Sequence, residues 1–268
     1  MSIRIKAIVE YDGTDFCGWQ RQAGPVSIQE CIESALEKLF QSKIQVTAAG
    51  RTDAGAHALG QVISFINPSA IPLYKILKGA NSHLPESIRI VEIEKVPPSF
   101  NPRGDAILRW YRYCVINRSP APVWARRFVT HIPYNLELDL LKKTISLFEG
   151  TKNFAAFRSI DCEAKRTDLT LKKFQLTRRG PLLVFDLACR SFLQNMVRIL
   201  MGAVIEVARG KIPLSLIGEM LETGIRNPVI PTLPASGLTL MKIYYPGDNP
   251  EVDTTEMQFV YPISKSKS

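Results

Sequence analysis

The chain has few of the residues that bind metals or form disulfides. Its 268 residues include three histidines and five cysteines, and no two cysteines form a C-x-x-C pair. Structural zinc sites normally use four closely spaced Cys or His ligands, so the sequence argues against a metal site. An odd number of scattered cysteines is typical of reduced thiols, so we expect a cytoplasmic protein.

Long apolar runs are missing as well. The most apolar stretch, residues 192–208, is interrupted by Arg198 and Glu206 and is too short to span a membrane. Residues 2–10 alternate between polar and apolar side chains, which predicts a half-buried strand and differs from the apolar block of a signal peptide. We therefore expect a soluble protein with no membrane partner.

Acidic residues are scarce over one long stretch, since Asp53 is the only Asp or Glu between residues 38 and 85. Seven of the twelve residues in the segment 49–60 are Gly or Ala, so the backbone can turn sharply and admit a large ligand. Arg51 lies two residues before Asp53, and a nearby cation favours the ionised carboxylate that a nucleophile or base needs. The alternative is that Asp53 forms an Asx-turn and Arg51 is a surface charge.

The net charge of +9 belongs to the later part of the chain. Residues 1–100 hold 10 Lys/Arg and 10 Asp/Glu, so the totals of 34 and 25 leave 24 basic and 15 acidic residues beyond residue 100. Two basic clusters lie there, the first of them interleaved with aromatic residues: Arg103, Arg109, Arg112, Arg118, Arg126 and Arg127 with Trp110, Tyr111, Tyr113 and Trp124, and then Arg158, Lys165, Arg166, Lys172, Lys173, Arg178 and Arg179.

These clusters predict a nucleic-acid surface. Basic side chains neutralise phosphates, and aromatic rings stack on exposed bases. We expect Arg109, Arg112 and Arg158 to be among the residues that contact the nucleic acid. The alternative is a solvated basic face without a ligand.

The apolar pattern predicts the same order of elements twice. The first hundred residues contain a strand at 3–10, a helix at 27–40, strands at about 44–49 and 60–66, a helix at about 73–80 and a strand at 88–96. The later part contains a strand at 108–117, a helix at 136–149, strands at 169–178 and 182–190, helices at 191–209 and 213–222, and a strand at 237–245. Each half follows the order β-α-β-β-α-β of the ferredoxin-like unit.

The sequence therefore predicts an α+β fold. Its two ferredoxin-like β-α-β-β-α-β halves would join through a central antiparallel sheet with helices on one face. The predicted divisions are an N-terminal half at 1–100 that carries the Asp53 loop, a basic C-terminal half at 101–245, and a tail at 246–268.

Segments spread along nearly the whole chain form one further pattern. They are Tyr11-Asp12-Gly13-Thr14, Gly18-Trp19-Gln20-Arg21-Gln22, Gly50-Arg51-Thr52-Asp53-Ala54-Gly55 with Gly60-Gln61-Val62, Tyr111-Arg112-Tyr113, Asn153-Phe154 with Phe157-Arg158, Phe192-Leu193-Gln194-Asn195-Met196-Val197-Arg198, and Gly237-Leu238-Thr239-Leu240. In order and spacing, these segments closely resemble the tRNA pseudouridine synthases of the TruA type.

The resemblance implies a pseudouridine synthase fold and the isomerisation of uridine to pseudouridine in the anticodon stem-loop of tRNA, around nucleotides 38 to 40. It implies a homodimer that uses no cofactor. Asp53 matches the nucleophile of the family, which either adds to the uracil ring or acts at the anomeric carbon of the ribose. A single nucleophilic carboxylate suits a reaction in which the base never leaves the site.

The resemblance also implies roles for further residues. Tyr111 matches the tyrosine that packs on the flipped uracil and helps to remove the C5 proton, and Arg198 matches the arginine that pairs with the nucleophile. Leu240 would line the uracil pocket, and three residues of the second segment would contact RNA: Trp19, Arg21 and Gln22. The alternative is a purely structural role for these residues: Tyr111, Tyr113 and Leu240 would be core positions, and Trp19 would be a lid over the core. We assign His57 no catalytic role, since a lone loop histidine is usually a hydrogen-bonding residue.

Other functional classes fit less well. A retaining glycosidase or nucleoside hydrolase needs a second carboxylate about 5 Å from the nucleophile, and the Asp53 segment offers none, although a distant residue could supply it. A zinc base deaminase is excluded because the chain has no H-x-E with P-C-x-x-C. An RNA-binding or RNA-folding module without catalysis remains the alternative from another class.

Overall fold

The computed structural model of the chain describes residues 3–250 and residue 252. Within these residues, ten strands and five α-helices form a mixed α+β fold with a large, mostly antiparallel sheet. The predicted fold class is thereby confirmed. The described chain divides into two compact units, the first comprising residues 3–109 with 239–250 and the second comprising residues 110–238.

The elements follow the predicted order along the chain. They begin with β1 (Ile3–Tyr11), α1 (Ile28–Phe40), β2 (Thr47–Ala48), β3 (His57–Asn67), α2 (Leu73–His83) and β4 (Ile88–Lys95). They continue with β5 (Leu108–Asn117), β6 (Thr130–Ile132), α3 (Leu138–Phe148), β7 (Gly150–Asn153), β8 (Asp168–Arg179), β9 (Leu182–Cys189), α4 (Met196–Ala208), α5 (Leu214–Thr223) and β10 (Leu238–Tyr244). The short strands β6 and β7 were not predicted, because three or four residues carry too little periodicity to be recognised.

Helix α1 shows why the local sequence folds as it does. The Oγ of Ser27 accepts a hydrogen bond from the backbone N–H of Glu30 at 3.2 Å, which satisfies one donor of the first turn. The buried residues of the helix recur at helical spacing and include Ile28, Ile32 and Leu36. The helix ends where Gln41 adopts a left-handed conformation.

The sheet of the first unit has the strand order β4-β1-β3-β10, and β2 pairs with β3. Strands β1 and β3 run antiparallel, whereas β10 runs parallel to β3 and aligns Leu240 with Ala58. Because β3 begins at His57, this pairing places residues 239 and 240 beside the end of the loop that carries Asp53. A Cβ added to Gly60 would lie 2.4 Å from the carbonyl oxygen of Met241, so only glycine permits this close approach.

The sheet of the second unit has the strand order β5-β9-β8-β7, and β6 runs parallel to β5. Its core includes a cluster of aromatic rings around Phe148, which lies 5.1 Å from Phe157 and 6.0 Å from Phe174 between ring centroids. Helix α4 is buried on all sides, and Arg198 is its only residue that is not buried. Such a helix is stabilised by burial rather than by an amphipathic pattern.

The helix predicted at 191–209 begins five residues later than predicted, at Met196. Asn195 precedes it with φ of 60°, a left-handed conformation that Asn adopts more readily than most residues. The residues before Asn195 therefore form a loop. The apolar side chains of this loop extended the periodic pattern beyond the helix itself.

The predicted divisions at 1–100, 101–245 and 246–268 stay a prediction, and most of the predicted tail lies outside the described residues. In the part of the chain that the structure describes, no helix is both long enough and apolar enough to cross a membrane. In the same part, no group of three or more His, Cys, Asp or Glu side chains is placed to hold a metal ion.

Candidate active site

Asp53 lies at a tight turn in the loop between β2 and β3. The backbone N–H of Ala56 donates to the carbonyl oxygen of Asp53 at 3.1 Å, and Gly55 has φ of 78°, which favours glycine. The side chain of Asp53 is partly exposed, and that of Arg51 is exposed. The loop therefore presents a carboxylate that a ligand can reach.

The loop after β1 holds this turn in place through direct backbone contacts. The N–H of Trp19 donates to the carbonyl oxygen of Thr52 at 3.1 Å, and the N–H of Gly55 donates to that of Phe16 at 3.3 Å. Two glycines make the approach possible, because an added Cβ would lie 1.9 Å from the Ala56 oxygen at Gly13 and 2.7 Å from the Thr52 oxygen at Gly18. The first two segments of the sequence pattern thus pack against the turn that carries Asp53.

A network of buried polar side chains connects the Asp53 loop to strands β1 and β3. The hydroxyl groups of Tyr11 and Thr52 lie 2.8 Å apart, and Nε2 of Gln61 donates to the carbonyl oxygen of Gly50 at 2.8 Å. Burial raises the pKa of Tyr11 to about 12, although its hydrogen bonds to Thr52 and Gln61 act in the other direction. Tyr11 therefore stays protonated. The sequence did not predict this supporting role, although Tyr11, Thr52 and Gln61 all fall within the quoted segments.

His57 has a local structural role at the start of β3. Its Nδ1 accepts a hydrogen bond from the backbone N–H of Gly13 at 3.1 Å and lies 3.2 Å from Oδ1 of Asp12. An unprotonated Nδ1 can accept the hydrogen bond from the backbone N–H of Gly13, whereas a protonated Nδ1 would donate a hydrogen bond to Asp12. One protonation state of Nδ1 therefore cannot make both hydrogen bonds. In either state, the ring connects the two loops.

Arg109 is buried against the first residues of the Asp53 loop. One of its Nη atoms donates to the carbonyl oxygen of Ala49 at 2.7 Å and to that of Arg103 at 3.1 Å. These bonds satisfy one backbone acceptor at the start of the loop and one in the segment before β5, which gives Arg109 a structural contact that the sequence did not predict. Its predicted contact with RNA stays a prediction.

The remaining predicted residues of the first unit divide between interior and surface. Leu240 is 0% exposed in β10. Trp19 is buried, and its ring centroid lies 6.3 Å from that of Tyr11, an arrangement that agrees with the alternative of a lid over the core. Arg21 and Gln22 are exposed, and an Nη atom of Arg21 lies 3.6 Å from Oε2 of Glu33.

In the second unit, Tyr111 and Tyr113 are both buried on β5, at 7% and 0% exposure, but they contact different residues. The ring of Tyr111 meets that of Phe192 edge to face, with centroids 5.1 Å apart. Tyr113 is fully buried, its hydroxyl lies 2.6 Å from that of Thr130, and it donates to the carbonyl oxygen of Pro234 at 2.7 Å. Burial raises the pKa of Tyr113, so its hydroxyl remains a donor in the core.

Arg198 is fixed by hydrogen bonds at the start of α4. Its Nε donates to the carbonyl oxygen of Leu233 at 2.7 Å, and its Nη1 donates to Oδ1 of Asn195 at 2.7 Å. The cation of Arg198 also lies close enough to Tyr113 to lower the pKa of that group slightly, against the larger effect of burial. The guanidinium is thus held in one orientation by residues on both sides.

Arg112 lies in the interior of the second unit. It is 3% exposed, and its Nε and Nη2 donate to the two carboxylate oxygens of Asp186 at 2.9 and 3.3 Å. The indole N–H of Trp110 donates to the same carboxylate at 2.7 Å. A buried ion pair of this kind holds strands β5 and β9 together. We therefore infer a structural role for Arg112, and its predicted contact with RNA stays a prediction.

Arg158 also makes a local contact, since its Nη1 donates to the carbonyl oxygen of Ala164 at 2.8 Å. The first unit thus brings together Asp53, Arg51, Trp19, Arg109 and Leu240 around one loop. The second unit carries Tyr111, Arg112, Arg158 and Arg198 on its own elements.

A separate groove of about 710 Å³ runs between α3 and β8. Its lining includes Lys142, Glu149 and Lys173 but none of the predicted site residues. Volume alone does not identify a reactive site, so we take the Asp53 loop as the centre of the candidate active site.

Known proteins resemble this chain over most of its length. The sequence profile of a family described as tRNA pseudouridine synthase matches residues 7–103 and 144–246. A protein named tRNA pseudouridine synthase A from Geotalea daltonii is 39% identical over 241 residues, which cover 90% of this chain and 99% of that protein. The protein of the same name from Neorickettsia sennetsu is 40% identical over 246 residues, which cover 91% of this chain and 100% of that protein.

Proposed function

The chain belongs to the tRNA pseudouridine synthase family, which consists of isomerases, and from this membership we propose that it isomerises uridine to pseudouridine in tRNA. We further propose that its targets lie in the anticodon stem-loop, around nucleotides 38 to 40, and that Asp53 is the nucleophile. The structural observation that supports Asp53 in this role is the hydrogen-bonded turn that presents its partly exposed side chain, held by backbone contacts with the loop after β1.

The proposed reaction balances without a cofactor. The bond between C1′ of the ribose and N1 of the uracil breaks, the base rotates, and a bond forms between C1′ and C5. The proton on C5 leaves and N1 gains a proton, so substrate and product are isomers. Asp53 attacks either the ring or C1′ and is released at the end, and both routes require its ionised form.

The target base must leave its stack before it can reach Asp53. Flipping a nucleotide costs a few kcal/mol, which contacts to the surrounding loop and phosphates offset. We propose that Tyr111 packs on the flipped uracil, that Leu240 lines its pocket and that Arg51 and Arg198 stabilise the Asp53 carboxylate. The edge-to-face contact of Tyr111 with Phe192 supports this role because it fixes the ring plane.

Tritium release tests the proposal directly. The substrate is a tRNA transcript labelled at C5 of uridine, from which a synthase releases tritium to water. We expect release by the unaltered protein and none by Asp53→Asn, which has a similar shape but no nucleophilic carboxylate. Asp139→Asn removes an exposed acid from the first turn of α3 and serves as the matched control, for which we expect unchanged release.

The same experiment includes the outcome that would overturn the proposal. If the folded, unaltered protein binds a mixed tRNA pool and releases no tritium, an RNA-binding module is the better description of the chain. If Asp53→Asn retains full release, another group is the nucleophile.

The proposal includes the assembly and location that the family resemblance implies, a cytoplasmic homodimer. Sedimentation equilibrium across a range of protein concentrations tests the assembly, and a constant monomer mass would contradict it.

A further inference from the structure

One exposed loop of the second unit combines cations with a large aromatic side chain. We call this segment, residues 118–128, the Trp124 loop; it contains three arginines and no acid. Trp124 is 78% exposed, and all three arginines are exposed: Arg118, Arg126 and Arg127. The loop thus gathers on the surface the two kinds of side chain that nucleic-acid surfaces use.

The exposure of Trp124 contrasts with the other two tryptophans. Trp19 and Trp110 are each 3% exposed. Arg109 and Arg112 are buried as well, with carbonyl and carboxylate partners in the protein. The structure therefore divides the basic and aromatic cluster of residues 103–127 into an interior part and a surface part, and the Trp124 loop forms much of the surface part.

The Trp124 loop is anchored at both ends. After it, β6 pairs with β5, and a ring nitrogen of His131 lies 2.7 Å from the carbonyl oxygen of Arg118. Within it, Ala125 packs against a small cluster of buried residues: Cys114, Ile116, Val129, Leu182 and Val184. The N–H of Phe128 donates to the carbonyl oxygen of Ala125 at 2.7 Å. These contacts hold the backbone on both sides of Trp124 in place, which limits the conformational entropy lost when a ligand binds.

The chemistry of the loop favours one class of ligand. Single exposed apolar residues are ordinary on protein surfaces, but a loop that combines an exposed indole with three exposed arginines and has no acidic residue in its own sequence suits an anion that also has a flat face. An unpaired nucleotide has both, since its base stacks on the ring and its phosphates lie within reach of cations. An apolar protein partner would not require three arginines.

We propose that the Trp124 loop is a second tRNA-binding site in which an unpaired base stacks on Trp124 while Arg126 and Arg127 bind the neighbouring phosphates. This inference rests on the proposed function because that function makes tRNA the partner. The Trp124 loop belongs to the second unit and the Asp53 loop to the first. The Trp124 loop contributes to binding and takes no part in the chemical step.

Binding of a tRNA transcript to the Asp53→Asn protein tests the proposal without turnover. We expect Trp124→Ala to weaken binding roughly 5- to 150-fold, the range that follows from losing one stacked base, and Trp124→Phe to retain most of the affinity. Arg126→Gln should lower the slope of log affinity against log salt by about one phosphate. Tyr74→Ala is the matched control because Tyr74 is also an exposed aromatic residue, 66% exposed on α2.

Fluorescence gives a second readout that does not depend on affinity. Because Trp19 and Trp110 are buried, acrylamide quenching of tryptophan emission reports mainly on Trp124. We expect saturating tRNA to protect Trp124 from the quencher. Quenching that is unchanged by bound tRNA, together with equal affinities for Trp124→Ala and Tyr74→Ala, would overturn the proposal.

Two further outcomes separate this proposal from its alternatives. A lower molecular mass of Trp124→Ala in sedimentation, with unchanged tRNA affinity, would make the loop a contact between copies of the chain and would also overturn it. Protection of Trp124 by tRNA in a protein that releases no tritium would support the site while the proposed catalytic function fails.

Discussion

Arg198 is the one residue of α4 that is not buried, and its guanidinium is oriented by Leu233 and Asn195. An arginine held in this way can direct its remaining N–H groups at a carboxylate, which is the role that we propose for it toward Asp53. A positioning residue affects the chemical step more than the affinity, because it acts on the transition state.

We therefore expect Arg198→Ala to lower kcat about tenfold or more, which corresponds to an increase of at least ~1.4 kcal/mol in the activation free energy. The dissociation constant for tRNA should change little. Single-turnover tritium release and filter binding measure the two effects separately. Arg209→Ala is the control, since Arg209 follows the last turn of α4 and pairs with Glu206 at 2.7 Å. An equal loss of kcat and affinity in Arg198→Ala would make it a phosphate contact instead.

The sequence could predict the tight turn at Asp53 because the signals for it are local, whereas the role of Asp53 as the nucleophile stays a prediction. The carboxylate is isolated among neutral residues, and the Gly and Ala around it allow a tight turn. The positions of Arg109 and Arg112 could not be predicted in this way. Arginine in an aromatic-rich strand has the same pattern whether it binds phosphate or a buried partner, and the partner Asp186 lies 74 residues from Arg112 in the sequence.

The loop after β1 and the loop that carries Asp53 are joined by direct backbone contacts. Gly13 and Gly18 both lie where a side chain would collide with the Asp53 turn. Gly18 also has φ of 97°, so a substitution there would be strained for two reasons. Gly13 offers the simpler test, since only the steric contact is at issue.

We expect Gly13→Ala to destabilise the protein by roughly 1–3 kcal/mol, because its Cβ would lie 1.9 Å from the Ala56 oxygen and the loops would have to separate. Turnover should fall by more than the loss of folded protein explains, since separating the two loops moves Asp53. Urea unfolding measures the first effect and tritium release the second.

Gly218→Ala provides the control for this substitution. Gly218 lies in α5, and an added Cβ meets no atom within 4 Å, so we expect a gain of up to about 1 kcal/mol from helix propensity. A Gly13→Ala protein as stable and as active as the parent would show that the two loops move independently.

Secondary structure could be predicted best where the periodic pattern and a capping residue agree. Helix α1 begins where Ser27 indicates, and β5 matches its predicted range. The start of α4 was wrong because apolar residues continue into the preceding loop, and only the backbone conformation of Asn195 marks the boundary. The placement of β10 beside β3 depends on pairing between residues that are far apart in sequence, which periodicity does not reveal.

The distribution of charge distinguishes the two parts of the chain. Residues 1–100 are electrically neutral by sequence, and the whole net charge of +9 arises beyond them. The structure adds that some of these cations are interior, so the charge available to tRNA phosphates is smaller than the sequence total. Salt dependence of binding should therefore reflect the exposed arginines, as in the test of Arg126.

The stability of the molecule should depend on alkaline pH because several buried groups must stay protonated in the folded state. Burial raises the pKa of Cys114 from 9.0 to about 12, although Arg112 acts in the other direction, and it raises the pKa of Tyr11 from 10.0 to about 12. Burial also raises the pKa values of Tyr113 and Tyr245. In each case, the folded state binds its proton more tightly than the unfolded chain does.

The sign of the pH effect follows from proton linkage. Below about pH 9, both states hold these protons and the stabilisation is complete. Between about pH 9 and 12, the unfolded chain loses its protons while the folded protein keeps them, so the free energy of unfolding falls as the pH rises. Each group that is ionised only in the unfolded chain contributes up to ~1.4 kcal/mol per pH unit.

We expect the urea midpoint of unfolding to be constant from about pH 7 to 8.5 and to fall with increasing steepness above about pH 9. Absorbance at 295 nm, which follows tyrosine ionisation, should rise together with unfolding for the buried tyrosines. In Cys114→Ala, the fall between about pH 9 and 10 should be shallower, because the thiol is the group with the lowest ordinary pKa among the four. A midpoint that stays constant up to about pH 11 would mean that these side chains ionise in the folded protein, and that the cores around β1 and β5 admit water.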